Sequence, residues 1–284
     1  MQDGGGNILR NRGCSRLMIA LVIAVVGIIA YMSRTEVNPV TGEKQHVALS
    51  VDQEKVLGLE AAPEMASKMG GEVDPSDPKA RMVQEVGRRV VAKSNAASSP
   101  YAGNFQFHLL ADPETINAFA LPGGQIFITR GLYDKLRDEA ELAGVLGHEV
   151  GHVIHRHSAE QMAKGQLGAV LSQAVGVAAS DGSDGGQHAA MIAAMVNQMV
   201  QMKYGRGDES ESDRYGIDAM AEAGYDPKAM LEVMEILKQA SGGARQPEWL
   251  SSHPLPETRI VEIQEYLRQK GAGGGSVSEG RPLS

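Results

Sequence analysis

The 284-residue sequence holds a single cysteine, Cys14, which excludes both a disulfide within the chain and a cysteine-built metal centre. Aromatic residues make up only 4% and there is one tryptophan, against 34 glycines and 14 methionines. The core must therefore be filled by Ala, Leu, Val, Ile and Met, a palette suited to packed helices. Positive charge is scarce as well. The net charge is −8, and because residues 1–34 contribute +3 (Arg10, Arg12, Arg16 and Arg34 against Asp3), the remainder carries −11. Nucleic acid is thereby excluded as a partner. Neither a G-x-S-x-G elbow nor a phosphate loop occurs, which removes serine-hydrolase and nucleotide-hydrolysing chemistry.

One long apolar run is present. Leu17 to Ser33 is uncharged and bracketed by Arg16 and Arg34, and as a helix it would reach about 25 Å. No small-x-small cleavage site follows it, and Cys14 precedes the run rather than ending it, which argues against a cleaved signal and a lipoprotein signal. The expectation is an uncleaved anchor. Arg10, Arg12 and Arg16 lie before it, and only Arg34 and Lys44 soon after, so the N-terminus should be cytoplasmic and the rest periplasmic or otherwise extracytoplasmic.

Four segments follow: a tail and anchor over 1–34, a polar linker over 35–49, one domain over 50–270, and a Gly/Ser-rich tail over 271–284 expected to be disordered. Within the domain, Ser50 with Gln53 forms a capping box before a helix over about 51–69, and another helix follows Asp77-Pro78. Phe105–Leu110, Asn117–Ala120 and Gln125–Thr129 read as strands of a small sheet. Asp138 with Glu141 should start a helix running through His157, with a further helix from Ser158 to about Ala179. Ser180–Gly186 breaks the pattern before an apolar segment, Gln187–Tyr204. Asp208 with Glu211 then caps a helix to about Ala223, and two more helices follow, Pro227–Ala240 and Pro256–Lys270. The fold class is α+β, mostly helical, with a small sheet beside the helix that carries the chemistry.

That chemistry is written at His148-Glu149-Val150-Gly151-His152. On a helix, residues i and i+4 share a face, so both imidazoles reach one metal ion while Glu149 stands beside its open position. The apolar neighbours Leu142, Val145, Leu146, Val150 and Val153 bury this helix, where unliganded histidines would be costly. A catalytic zinc takes three protein ligands and keeps one position for water. His155 and His157, three and five residues past His152, do not complete a tetrahedron and read as surface positions beside Arg156. Glu209 and Asp213 are again i and i+4, so one can bind metal while the other holds the outer nitrogen of a ligating histidine. Glu211 points elsewhere on that helix and reads as a cap.

These motifs, together with Glu209-Ser210-Glu211-Ser212-Asp213-Arg214, Asn117-Ala118-Phe119-Ala120-Leu121-Pro122-Gly123-Gly124 and Ser252-His253-Pro254 followed by Arg259, resemble the gluzincin peptidases of family M48 over about residues 50–270. The single span resembles the periplasmic branch of that family. Ser212 stands where alanine is usual, a small-for-small change. The resemblance implies a gluzincin metallopeptidase domain, Glu209 as the third ligand and one Zn2+ per chain.

The expected activity is cleavage of peptide bonds in misfolded or membrane-associated proteins by water that Glu149 activates. His253 and Arg259 are candidate oxyanion donors, and His253 could instead occupy the fourth zinc position at rest. Gly124, Gln125, Ile126 and Phe127 are candidates for a strand that pairs with extended substrate, and the Ser180–Gly186 segment for a lid. The competing reading is a membrane-anchored chaperone or scaffold with structural zinc. A structural site would be closed by four protein ligands and would have no use for Glu149. Partners are thus a protein or peptide substrate and the membrane; the oligomeric state is not written in the sequence.

Overall fold

The computed structural model describes residues 6–179, 203–241, 247–253, 257–271 and 277–283; the expected lid at Ser180–Gly186 and residues 187–202 of the apolar segment lie outside them. Helix α1 (Gly6–Ser33) leads to a hairpin of β1 (Thr35–Val37) and β2 (Lys44–His46), then α2 (Val51–Lys68) and α3 (Pro78–Lys93). Strands β3 (Gln106–Leu110), β4 (Ala118–Leu121) and β5 (Gln125–Thr129) precede the short α4 (Arg130–Tyr133), and α5 (Glu139–Ile154) and α6 (His157–Ala179) follow. The chain closes with α7 (Arg206–Glu222), α8 (Ala229–Ser241), the one-turn α9 (Trp249–Ser252) and α10 (Glu257–Gln269). This is the expected α+β fold.

Local chemistry sets the helix starts. Ser50 and Gln53 form the reciprocal capping box of α2, and Asp77 caps α3 with Pro78 in its first turn, satisfying backbone N–H groups that have no partner within the helix. Asp138 accepts from the N–H groups of Ala140 and Glu141. The Glu141 carboxylate reaches the Arg137 N–H instead of closing a box on Asp138.

The three-stranded sheet has the order β3-β5-β4, with β5 parallel to β3 and antiparallel to β4. This corrects the expectation for Gly124–Phe127: residues 125–129 are buried and form the central strand, with both edges hydrogen-bonded and nothing left to pair with a substrate. Among the described residues the strand paired on one side only, on the active-site side, is β4.

All sixteen residues of α5 are buried. It packs against α7 nearly backbone to backbone. A Cβ on Gly147 would stand 3.2 Å from Gly216 Cα, one on Gly151 3.0 Å from Ser212 Cα, and one on Gly216 2.9 Å from the His148 nitrogen. Small residues at these crossing points bring the His148 and His152 face of α5 within side-chain reach of Glu209 and Asp213 on α7.

Helix α5 ends at Ile154, three residues before the expected His157, because Arg156 takes a left-handed φ of 58°. For a non-glycine residue this costs on the order of 1–2 kcal/mol. Arg156 is buried: Nε donates to Glu54 Oε1 at 2.8 Å, Nη1 to Glu36 Oε2 at 2.8 Å and Nη2 to the Leu49 carbonyl at 2.7 Å. These bonds hold the turn.

Described residues in the segments read as linker and tail bond the ends of α5. Asn38 Nδ2 donates to the Ile154 carbonyl at 2.9 Å and Gln45 Nε2 to that of His155 at 2.6 Å, satisfying acceptors at the C-terminal end of α5. At its other end, the Glu139 and Ala140 N–H groups donate to the carbonyls of Arg281 and Glu279 at 3.0 and 2.9 Å. In α1 the apolar side chains of Leu21, Val26, Ile29 and Met32 are exposed. Among the described residues no helix is long and apolar enough to cross a membrane.

Candidate metal centre

Helices α5 and α7 set four buried side chains around one point. Nε2 of His148 lies 3.0 Å from Nε2 of His152, Oε1 of Glu209 3.7 Å from the latter, and Nδ1 of His253 3.0 Å from Oε1 of Glu209 and 3.4 Å from Nε2 of His148. A tetrahedron with metal bonds of about 2.0–2.1 Å has edges of about 3.3–3.4 Å. The four donors therefore fit a small divalent ion, with His253 as the fourth corner.

The outer nitrogens are also engaged. His148 Nδ1 is 2.9 Å from Asp213 Oδ1, which directs Nε2 inward. His152 Nδ1 is 2.9 Å from Nδ1 of His157, whose Nε2 lies 3.1 Å from Glu211 Oε2. Tyr204 stacks on His152 at 4.0 Å and its hydroxyl lies 3.0 Å from Ser158 Oγ. His157 is buried, a departure from the expected surface position that follows from the Arg156 turn. Glu211 faces His157 and His155; Asp208 accepts the Gly205 N–H at the start of α7 in its place.

Arg259 is buried. It donates to both oxygens of Asp213 at 2.8 and 2.6 Å, pairs with Glu209 Oε2 at 2.5 Å, and lies 5.3 Å from the Trp249 ring. Those partners commit the guanidinium to the two carboxylates of α7. Burial tends to raise the Asp213 carboxyl, but Arg259 and His148 hold it at about 2, so it stays an acceptor.

Glu149 lies beside the four donors, 3.8 Å from His253 Nε2, and its Oε1 accepts from the Trp249 indole N–H at 3.4 Å. Its Oε2 and His253 Nε2 are buried without hydrogen-bond partners. Burial pushes the Glu149 carboxyl up to about 7 and the His253 imidazole down to about 3. Burial likewise raises Glu209 to about 7, although Arg259 and His148 pull it down. Two carboxyls so buried beside two imidazoles are the donor types that a divalent cation takes.

A cleft of about 330 Å³ opens beside the centre, lined by Met65, Met69, Phe119, Leu121, Tyr204 and His253. Strand β4 forms one wall, and the Asn117 Oδ1 at its start is buried without a partner. Trp249, the one tryptophan in the chain, stacks on His253 at 4.6 Å; nothing in the sequence marked it, Tyr204 or His157 as part of the site.

A helical domain in which an H-E-x-x-H helix faces an E-x-x-x-D helix across a buried set of nitrogen and oxygen donors defines a metal-dependent peptidase. The model of peptidase family M48 matches residues 77–267, and the chain belongs to that family. The mitochondrial metalloendopeptidase OMA1 of Schizosaccharomyces pombe is 31% identical over 243 residues, 85% of this chain and 69% of that protein. The beta-barrel assembly-enhancing protease of Escherichia coli is 30% identical over 276 residues, 92% of this chain and 53% of that protein. The chain thus spans about two thirds of the yeast relative and about half of the bacterial one. It is a metalloendopeptidase, a hydrolase of peptide bonds.

Proposed function

We infer that the chain cuts unfolded or membrane-associated proteins with a zinc ion held by His148, His152 and Glu209, and that His253 closes the fourth position at rest. The observation that carries this reading is Glu149 standing beside the four donors, an acid for which a closed structural site has no use. Two imidazoles and a carboxylate, without sulfur, are a catalytic rather than a structural zinc set.

Bound there, zinc supplies the Lewis acidity that polarises a scissile carbonyl and acidifies attacking water. The Glu149 carboxylate, 3.8 Å from His253 Nε2 and beside the donor set, is placed to take a proton from water and pass it to the leaving amine. Asp213 orients His148, and Arg259 holds Glu209 and Asp213 in place, which makes Arg259 a positioning residue. His253 must leave its corner for a substrate carbonyl to enter. The two roles anticipated for it oppose each other in effect: loss of a resting ligand releases activity, whereas loss of an oxyanion donor lowers kcat by about a hundredfold or more.

The free edge of β4 supports binding of an extended substrate as an added strand, with side chains lodged among Met65, Met69 and Phe119. Arg10, Arg12 and Arg16 in the first half of α1 and the exposed apolar side chains of its second half support attachment to a membrane. Purified protein should carry about one zinc per chain. His253→Ala should keep that zinc and degrade an unfolded protein such as casein faster, because a resting ligand is gone. Unchanged zinc content, kcat and KM would reject the role given to His253.

A further inference from the structure

Among the described residues, a second set of metal-ligating side chains is drawn together at the outer end of the His152 to His157 contact. His155 Nδ1, His157 Nε2 and a Glu211 oxygen lie within 4.8 Å of one another. Nε2 of His157 is 3.1 Å, and Nδ1 of His155 3.3 Å, from the same atom, Glu211 Oε2. The two rings stack at 5.4 Å with their planes 18° apart. Residues two apart on a helix do not face the same way; the left-handed backbone of Arg156 sets these two side by side. That turn is held by the buried Arg156 guanidinium on Glu36, Glu54 and Leu49, so the pair is preorganised. Nδ1 of His155 is also buried without a hydrogen bond of its own.

The geometry points to a second metal site, in which His155 Nδ1, His157 Nε2 and Glu211 Oε2 take a divalent ion of the zinc, cobalt or nickel class. Two imidazoles and one carboxylate suit those ions and not the oxygen-seeking Mg2+ or Ca2+. Separations of 3.1 and 3.3 Å to the shared carboxylate oxygen match the edges of about 3.3 Å of a tetrahedral zinc site. The Glu211 side chain is 41% exposed, which gives an ion a way in and leaves room for water in the remaining positions.

The site is coupled to the inner centre through one ring. An ion on Nε2 of His157 obliges Nδ1 to carry that ring's proton, so His157 can no longer accept the His152 N–H that it faces at 2.9 Å. The two ions also repel. Each therefore lowers the affinity of the other by the same factor, and the outer site, with its exposed carboxylate, is the weaker.

The test is metal counting on the full-length chain. The protein is stripped with chelator, Zn2+ or Co2+ is returned stepwise, and uptake is followed by competition with a chromophoric chelator and, for Co2+, by visible absorption. The wild type should take up two equivalents, the second at least about tenfold more weakly. His155→Ala and His155→Phe should take up one, with the affinity of that one unchanged within about threefold, because His155 touches none of the inner ligands. The phenylalanine variant keeps the ring stack. Variants that keep the full uptake, or that lose both equivalents together, overturn the proposal.

Discussion

Nδ1 of His157 stands 2.9 Å from Nδ1 of His152, so a ring five residues along the chain decides which nitrogen of the metal-facing histidine is free. For His152 to present Nε2 inward, its Nδ1 must carry the proton and donate it to His157, which then donates from Nε2 to Glu211. Replacing His157 with phenylalanine keeps the volume but removes this acceptor. Metal affinity should fall by about 10- to 100-fold, read by chelator competition; an unchanged affinity would show that the tautomer is set elsewhere.

The metal-free protein should lose stability as pH rises from about 5 to 7.5. Glu149 has its carboxyl raised by burial from 4.5 to about 7, so across that window the folded chain keeps a proton that the unfolded chain has released. Stability then declines with rising pH, by up to about 3 kcal/mol for such a shift. Glu149→Gln removes this contribution. Thermal melts of metal-free wild type and variant should diverge between pH 5 and pH 7.5, the variant melting higher at the upper pH. Parallel curves would refute the raised carboxyl.

The close approach of α5 and α7 makes a third prediction. A Cβ on Gly216 would sit 2.9 Å from the backbone nitrogen of His148, which a rigid helix cannot yield. Gly216→Ala should cost about 1–3 kcal/mol by denaturant titration and weaken metal binding as well, because the helices that part carry the ligands. A stable variant with full metal affinity would mean the crossing does not set the centre.

The centre was legible because its parts are local. H-E-x-x-H and E-x-x-x-D each fix two side chains on one helical face, whatever surrounds them. What the sequence hid is nonlocal. The run Gln125 to Thr129 is nearly continuous in apolar residues, a mark of a strand buried on both faces, yet only pairing order tells centre from edge. Arg156 carries no sign of a left-handed turn, a place where glycine or asparagine is usual, so His157 was placed on the surface. Asn38, Gln45, Glu279 and Arg281 lie in polar or Gly-rich stretches that read as linker and tail. Their part is to bond the exposed ends of the helix carrying the histidines, which composition cannot show.

The most direct test is the turnover of an unfolded protein by zinc-loaded Glu149→Gln. Glutamine keeps the shape of the side chain and removes the base, so the variant should hold the same metal as wild type and cleave about 100- to 10,000-fold more slowly. Equal metal with undiminished cleavage would contradict the account, since the proton would then be moving through some other group.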